Sequence, residues 1–150
     1  MHDDLLQPSL ANRAATTDTA RPWRLLSQFY VAALGGALAV TAIALVNARR
    51  LQLTSAQQTV IALAGTAGLG ATLAIAAILG QTAEQRWLVR VAAVVAWGGM
   101  YAVQRSADRI YAFHEGDAGY ASMWIPGTLA AVAGGLIQWP LVVAVAGGLA

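Results

Sequence analysis

The sequence predicts an all-α, polytopic membrane protein with four transmembrane helices in an antiparallel bundle. Residues of the AVILMFWYC set make up 58% of the 150 residues, and they gather into four long apolar runs. Charged residues make up only 11%, against about 25% in soluble domains. This composition excludes a soluble enzyme, a disordered chain and a nucleic-acid-binding protein, because a soluble domain so poor in charge could not cover its surface.

The apolar runs divide the chain into a polar N-terminal tail, residues 1–24, and a transmembrane domain, residues 25–150. Spans are predicted at about 25–46, 59–80, 87–103 and 126–149. A run of about 20 apolar residues crosses the roughly 30 Å hydrocarbon layer as a helix. Helices are required because lipid cannot hydrogen-bond backbone N–H and C=O groups. The short connection between the second and third runs predicts that these two spans are antiparallel neighbours.

Small residues indicate where the helices approach closely. Burial of apolar surface does not by itself bring helices together in lipid, whereas close backbone packing does. The candidate contact residues are Gly65, Gly68, Gly127, Ala131 and Gly135. They predict either internal packing of the four spans or contact with a partner protein. Gln138, a costly polar group in the fourth run, is expected to form a hydrogen bond to another helix.

The polar segment after the third run holds most of the remaining ionisable groups. Arg105, Asp108 and Arg109 have helical spacing, which indicates a solvated helix or a contact with an anionic or quinone headgroup. The side chains that could hold a metal ion are those of His114, Glu115, Asp117 and Met123. Carboxylates and imidazole bind divalent cations, and a thioether suits Cu(I). The alternative is that His114 ends a helix and stabilises its C-terminal dipole.

Residues 123–127 read Met-Trp-Ile-Pro-Gly and precede the last apolar run. This segment resembles the Met-Trp-Val-Pro-Gly sequence that leads into the last helices of the copper-delivering cytochrome c oxidase assembly factors. Asp117 is similar to an acidic residue that this family carries upstream of the segment. The residues by themselves predict no cofactor, whereas the resemblance implies copper, with ligand roles for Met123 and His114.

Function is predicted from contact surfaces, because no hydrolase motif, phosphate loop or intramembrane acid is present in the sequence. We expect a non-enzymatic accessory or assembly subunit of a larger membrane complex, a respiratory complex being one candidate. Its partners would be the lipid bilayer and other membrane-protein subunits, with no nucleic acid. The alternatives are a membrane copper-handling protein and a small homo-oligomeric channel or exporter.

The expected location is the bacterial inner membrane, with a cytoplasmic N-terminus. If all four runs cross the bilayer, the N-terminus and residues 104–123 lie on opposite sides. The arginines then divide five to four between the two sides, which is a weak orientation signal.

Overall fold

The computed structural model describes residues 21–116 and 119–148, and in this part of the chain four long helices pack into an all-α bundle. After a short 3-10 turn at Leu25–Ser27, they are α1 (Gln28–Arg50), α2 (Ser55–Leu79), α3 (Ala83–Glu115) and α4 (Trp124–Gly148). Each is long and apolar enough to cross a membrane. The predicted all-α bundle of four helices is therefore confirmed, and the protein is an integral membrane protein by the length and composition of its helices. Most of the predicted tail, residues 1–24, lies outside the described residues.

Local sequence signals set the helix ends. Thr54 begins α2 with a capping box, in which its hydroxyl accepts from the Gln57 backbone N–H and the Gln57 side chain accepts from the Thr54 backbone. The Thr82 hydroxyl caps α3 in the same way by accepting from the Gln85 N–H. Helices α2 and α3 end at Gly80 and Gly116, whose φ angles are +60° and +64°. The interpretation of His114 as the end of a helix is thus confirmed, because α3 stops at Gly116, two residues later.

Helix α1 contains a sharp reversal that the sequence analysis does not predict. Gly36 has φ +78° and ψ −170°, close to the angles of the helix-ending Gly80 and Gly116. A Cβ atom built on Gly35 would lie only 2.6 Å from the Ala39 Cβ. These positions are about 5–6 Å apart in a continuous helix. Residues 28–35 and 37–50 are therefore two arms of a helical hairpin with its tip at Gly36.

Contacts at the two ends of α1 show that its arms run in opposite directions. The Trp23 N–H donates to Asn47 Oδ1 at 2.7 Å, and the Arg50 guanidinium donates to the Arg21 carbonyl at 3.0 Å. A straight helix would separate Gln28 from Asn47 by about 28 Å. The five residue-to-residue steps from Trp23 to Gln28 can span only about 18 Å. The contacts are possible only because α1 returns to the end of the bundle from which it started.

The tip of the hairpin lies halfway along the bundle. A Cβ atom built on Gly68, near the middle of α2, would meet Ala37 at 3.6 Å and Ala96 of α3 at 2.5 Å. Helices α1 and α2 each pack against all three other helices, whereas within the described ranges no Cα atom of α3 lies within 8 Å of a Cα atom of α4. Beyond the tip, the bundle therefore consists of α2 with α3 on one flank and α4 on the other, and a cleft separates α3 from α4.

The reversal brings the N-terminal segment and the α3–α4 connection to the same end of the bundle. The Ala121 N–H donates to the Pro22 carbonyl at 3.0 Å. The predicted placement of the segment before α1 and residues 104–123 on opposite sides is therefore wrong for residues 21–24, because it assumed that the first apolar run crosses once. We call this the basic end, since it carries Arg21, Arg24, Arg49, Arg50, Arg105 and Arg109. The opposite end, with the Gly80 turn and the C-terminal end of α4, is the turn end.

Candidate functional site

The hairpin tip is completed by a side chain from α4. The first N–H groups of the 37–50 arm have no partner within that helix. The Leu38 N–H donates to Gln138 Oε1 at 3.2 Å, so Gln138 caps a helix that lies far from it in the chain. Gln138 is only 4% exposed. A Cβ atom on Gly36 would lie 2.5 Å from this oxygen, so both the backbone angle and the available space require glycine. The predicted cross-helix hydrogen bond of Gln138 is confirmed.

A cavity of about 360 Å³ lies in the cleft between α3 and α4, directly beyond the hairpin tip. The α1 tip contributes Gly35 and Gly36, and α3 contributes Arg86, Val89 and Arg90. From α4 come Gln138, Trp139 and Val142. The cavity thus combines two arginines and a capping amide with an apolar wall.

A second buried polar group holds the open end of the hairpin. Asn47 accepts from the Trp23 N–H through Oδ1 and donates from Nδ2 to Gln104 Oε1 at 3.2 Å. Asn47 and Gln104 are completely buried. These hydrogen bonds tie the C-terminal end of α1 to the chain segment before it and to α3. Neither residue is among those predicted from the sequence, although an uncharged polar residue at the end of an apolar run is a usable signal.

Most of the predicted contact residues serve internal packing. Gly65 packs against Thr41, Gly68 against Ala96, and Gly127 against the Tyr30 hydroxyl group. Ala131 is buried against Gly35. Gly135 makes no comparably close contact, since the nearest atom to a Cβ there would be the Leu34 carbonyl oxygen at 4.0 Å. Its neighbour Gly134 instead packs against Ala39 and the Gly35 carbonyl.

The predicted polar segment at 104–115 forms the outer part of α3, where Asp108 is held by a tyrosine. The Tyr120 hydroxyl donates to Asp108 Oδ1 at 3.0 Å. Burial of Tyr120 is the main cause, and its hydrogen bond to Asp108 the second, of a rise in the pKa of Tyr120 to about 12. Arg105 and Arg109 are exposed beside it. The arrangement is a structural clasp between α3 and the loop before α4.

The structure does not gather the four predicted metal ligands. His114 is exposed with Nδ1 2.8 Å from the Ile110 carbonyl oxygen, and Glu115 is exposed. Met123 is buried in the core beneath Gly127, and Asp117 lies outside the described residues. Within residues 21–116 and 119–148, no group of three His, Asp or Glu side chains is placed to hold a metal ion. Copper binding stays a prediction from the sequence.

The outward side of α2 carries a continuous strip of small residues. We call it the small face of α2, and it consists of Thr66, Ala67, Gly70, Ala71 and Ala74, all exposed. A Cβ atom on Gly70 would meet nothing within 4 Å. The larger residues Leu63 and Ile78 flank the strip and are exposed. By contrast, the outward side of α4 presents the large side chains of Leu129, Val132, Leu136 and Ile137.

Comparisons with known proteins identify no relative of this chain. No family model matches the chain, and neither a curated protein nor a solved structure does so. The similarity of residues 123–127 to the copper-delivering assembly factors accordingly rests on those five residues alone.

Proposed function

We propose that this protein is an accessory or assembly subunit of a larger membrane complex, and that a helix of a partner subunit packs on the small face of α2. The observation that carries the proposal is the exposed series Thr66, Gly70 and Ala74, spaced four residues apart at the middle of the helix. In lipid, such a small-xxx-small series lets two helix backbones approach closely, which is a principal source of association.

The inner side of the same helix supports this interpretation. Gly65 and Gly68 face inward. The space beside Gly65 is occupied by Thr41 of α1, and the space beside Gly68 by Ala96 of α3. The chain therefore uses small residues on α2 to seat a neighbouring helix. The outward series is also made of small residues, but it is exposed, and no helix among residues 21–116 and 119–148 covers it. A surface made only to face lipid needs no such series, as the large aliphatic residues on the outward side of α4 illustrate.

The location we propose is the bacterial inner membrane, with the basic end in the cytoplasm. Six arginines lie at that end in the described residues, against Arg86 and Arg90 toward the turn end. Positively charged residues are retained on the cytoplasmic side of membrane proteins. An impermeant thiol reagent should label Gln81→Cys in intact cells and Ser55→Cys only after permeabilisation. The reverse pattern would contradict this orientation.

The subunit proposal is tested by enlarging the small face of α2. The double variant Gly70→Leu/Ala74→Leu should lose its partner on purification in mild detergent, while the thermal midpoint of the isolated chain stays the same. The matched control is Ala133→Leu/Gly147→Leu, the same kind of change at exposed positions on α4. The control should retain the partner at the wild-type ratio.

Two results would overturn the subunit proposal. One is recovery of the same partner, in the same amount, with the α2 variant and with the control. The other is a wild-type chain that is found only as a monomer, or only with copies of itself, in several mild detergents. If the wild-type chain is found only with copies of itself, in a defined number, the homo-oligomeric channel or exporter would be favoured instead.

A further inference from the structure

We propose that the cleft between α3 and α4 binds the phosphate group of an anionic phospholipid, with the hairpin tip closing the inner end of the site. This site is separate from the small face of α2, and the proposal does not depend on the proposed function. The cavity of about 360 Å³ is large enough for a headgroup and the first carbons of its acyl chains.

The charge of the lining selects an anion. Arg86 and Arg90 are four residues apart, on one face of α3, and both line the cavity. The lining contains no Asp or Glu side chain that could neutralise them. A guanidinium group forms paired hydrogen bonds with phosphate oxygens, so two of them on one face form a suitable phosphate clamp.

A side-chain amide of α4 adds a further donor at the inner end of the cleft. Gln138 lines the cavity and uses Oε1 to accept from Leu38, and its Nε2 has no hydrogen-bond partner among the described residues. The Gln138 side chain is held by its hydrogen bond to Leu38, so a ligand in the cleft would meet an oriented amide donor at the cavity wall. A phosphate or ester oxygen would accept a hydrogen bond from it.

The apolar part of the lining points to a lipid and not to a free ion. Leu34, Val89, Trp139 and Val142 form the rest of the wall. In the described part of the chain no Cα atoms of α3 and α4 lie within 8 Å of each other, so the cleft has a side facing the lipid. Acyl chains can leave through this side while the phosphate stays between the arginines. The ring of Trp139, half exposed, lies where the glycerol region would pass.

Native mass spectrometry of the purified full-length chain tests the site, with phosphatidylglycerol, phosphatidylcholine and inorganic phosphate as separate probes. We expect one phosphatidylglycerol to be retained by the wild type. Arg86→Gln/Arg90→Gln should weaken this binding by about tenfold or more, as expected for loss of charge-assisted hydrogen bonds. The matched control Arg105→Gln/Arg109→Gln removes the same charge from the outer part of α3 and should bind like the wild type.

A third variant separates geometry from charge. Arg86→Lys/Arg90→Lys keeps the positive charge but not the paired donors, so its affinity should lie between those of the wild type and the glutamine variant. Unchanged thermal midpoints without lipid would show that all variants fold. Equal weakening in both glutamine variants would mean general attraction of lipid to basic surfaces and would overturn the proposal. If millimolar inorganic phosphate displaced phosphatidylglycerol and was itself retained, the site would bind free phosphate, and the proposal of a lipid ligand would be overturned.

Discussion

The helical hairpins that turn at Gly36 and at Gly80 differ in one respect: only the second is visible in the sequence. The reversal between α2 and α3 centres on Gly80, and the reversal within α1 centres on Gly36. Both glycines have positive φ and nearly the same ψ. At Gly80 the surroundings are open, polar residues follow, and the next helix is capped by its own Thr82. At Gly36 the next helix begins at once, and its cap is Gln138 of a distant helix.

This difference has a physical cause. A reversal at the end of the bundle can satisfy its freed backbone groups with water and local side chains. A reversal halfway along the bundle has no such supply, so another helix must provide both the hydrogen-bonding group and the space. A local signal is therefore sufficient for the Gly80 turn, while the Gly36 turn depends on the packing of α4.

The largest expected effect concerns which ends of the helices share a side of the membrane. Single cysteines at Arg21 and Ser55 precede and follow α1, and Gln81 lies at the turn end. If α1 is a hairpin, an impermeant thiol reagent should label Arg21→Cys and Ser55→Cys from one side and Gln81→Cys only from the other. Labelling of Arg21→Cys and Ser55→Cys from opposite sides would show that α1 crosses the membrane and that the hairpin is wrong.

The second effect compares alanine at the two turning glycines. Gly80→Ala meets nothing within 4 Å, so it should cost only the strain of a positive φ, roughly 1–3 kcal/mol. Gly36→Ala has the same strain and also a contact of 2.5 Å with Gln138, so we expect roughly 3 kcal/mol or more. Free energies of unfolding in mixed micelles would measure both. Equal losses would show that Gly36 is no more enclosed than Gly80.

The smallest effect compares the two caps. Gln138→Leu leaves the Leu38 N–H without an acceptor in a water-poor interior, which should cost about 1–3 kcal/mol of unfolding free energy. Thr82→Ala removes a cap at an exposed position, where water replaces the hydroxyl, and should cost about 1 kcal/mol or less. Hydrogen exchange at Leu38 should also increase in the first variant. Exchange as slow as in the wild type would mean that Gln138 does not cap this helix.

The sequence predicted three of the four helices close to their observed positions, because each combines a long apolar run with polar ends and recognisable caps. The predicted run at 87–103 belongs to α3, which continues to Glu115 and stops at Gly116 as expected. Four of the five predicted contact residues lie at internal contacts, since small residues in lipid-embedded helices usually mark close approach.

The candidate site was harder to predict, because its parts come from three helices. Arg90 in the sequence alone is expected to extend toward the headgroups, and Gln138 is recognisable only as a polar group in need of a partner. Nothing local indicates that both line one cavity with Gly36. One signal was present, however: the nearly even division of arginines. A chain with four crossings would usually show a clearer bias, and the hairpin changes the division among the described residues to six against two.

Composition and periodicity determined that this chain is helical and that its helices are suited to lipid. Both properties follow from the free energy of moving side chains and peptide groups from water into the hydrocarbon layer, where only apolar side chains and hydrogen-bonded backbone are stable. They also determined where most helices begin and end, since caps and turning glycines act over a few residues. The tertiary structure decided that α1 turns back at Gly36, and with it the cleft and the grouping of the basic residues at one end. That decision depends on a hydrogen bond between residues 100 positions apart, Leu38 and Gln138, which no local pattern specifies.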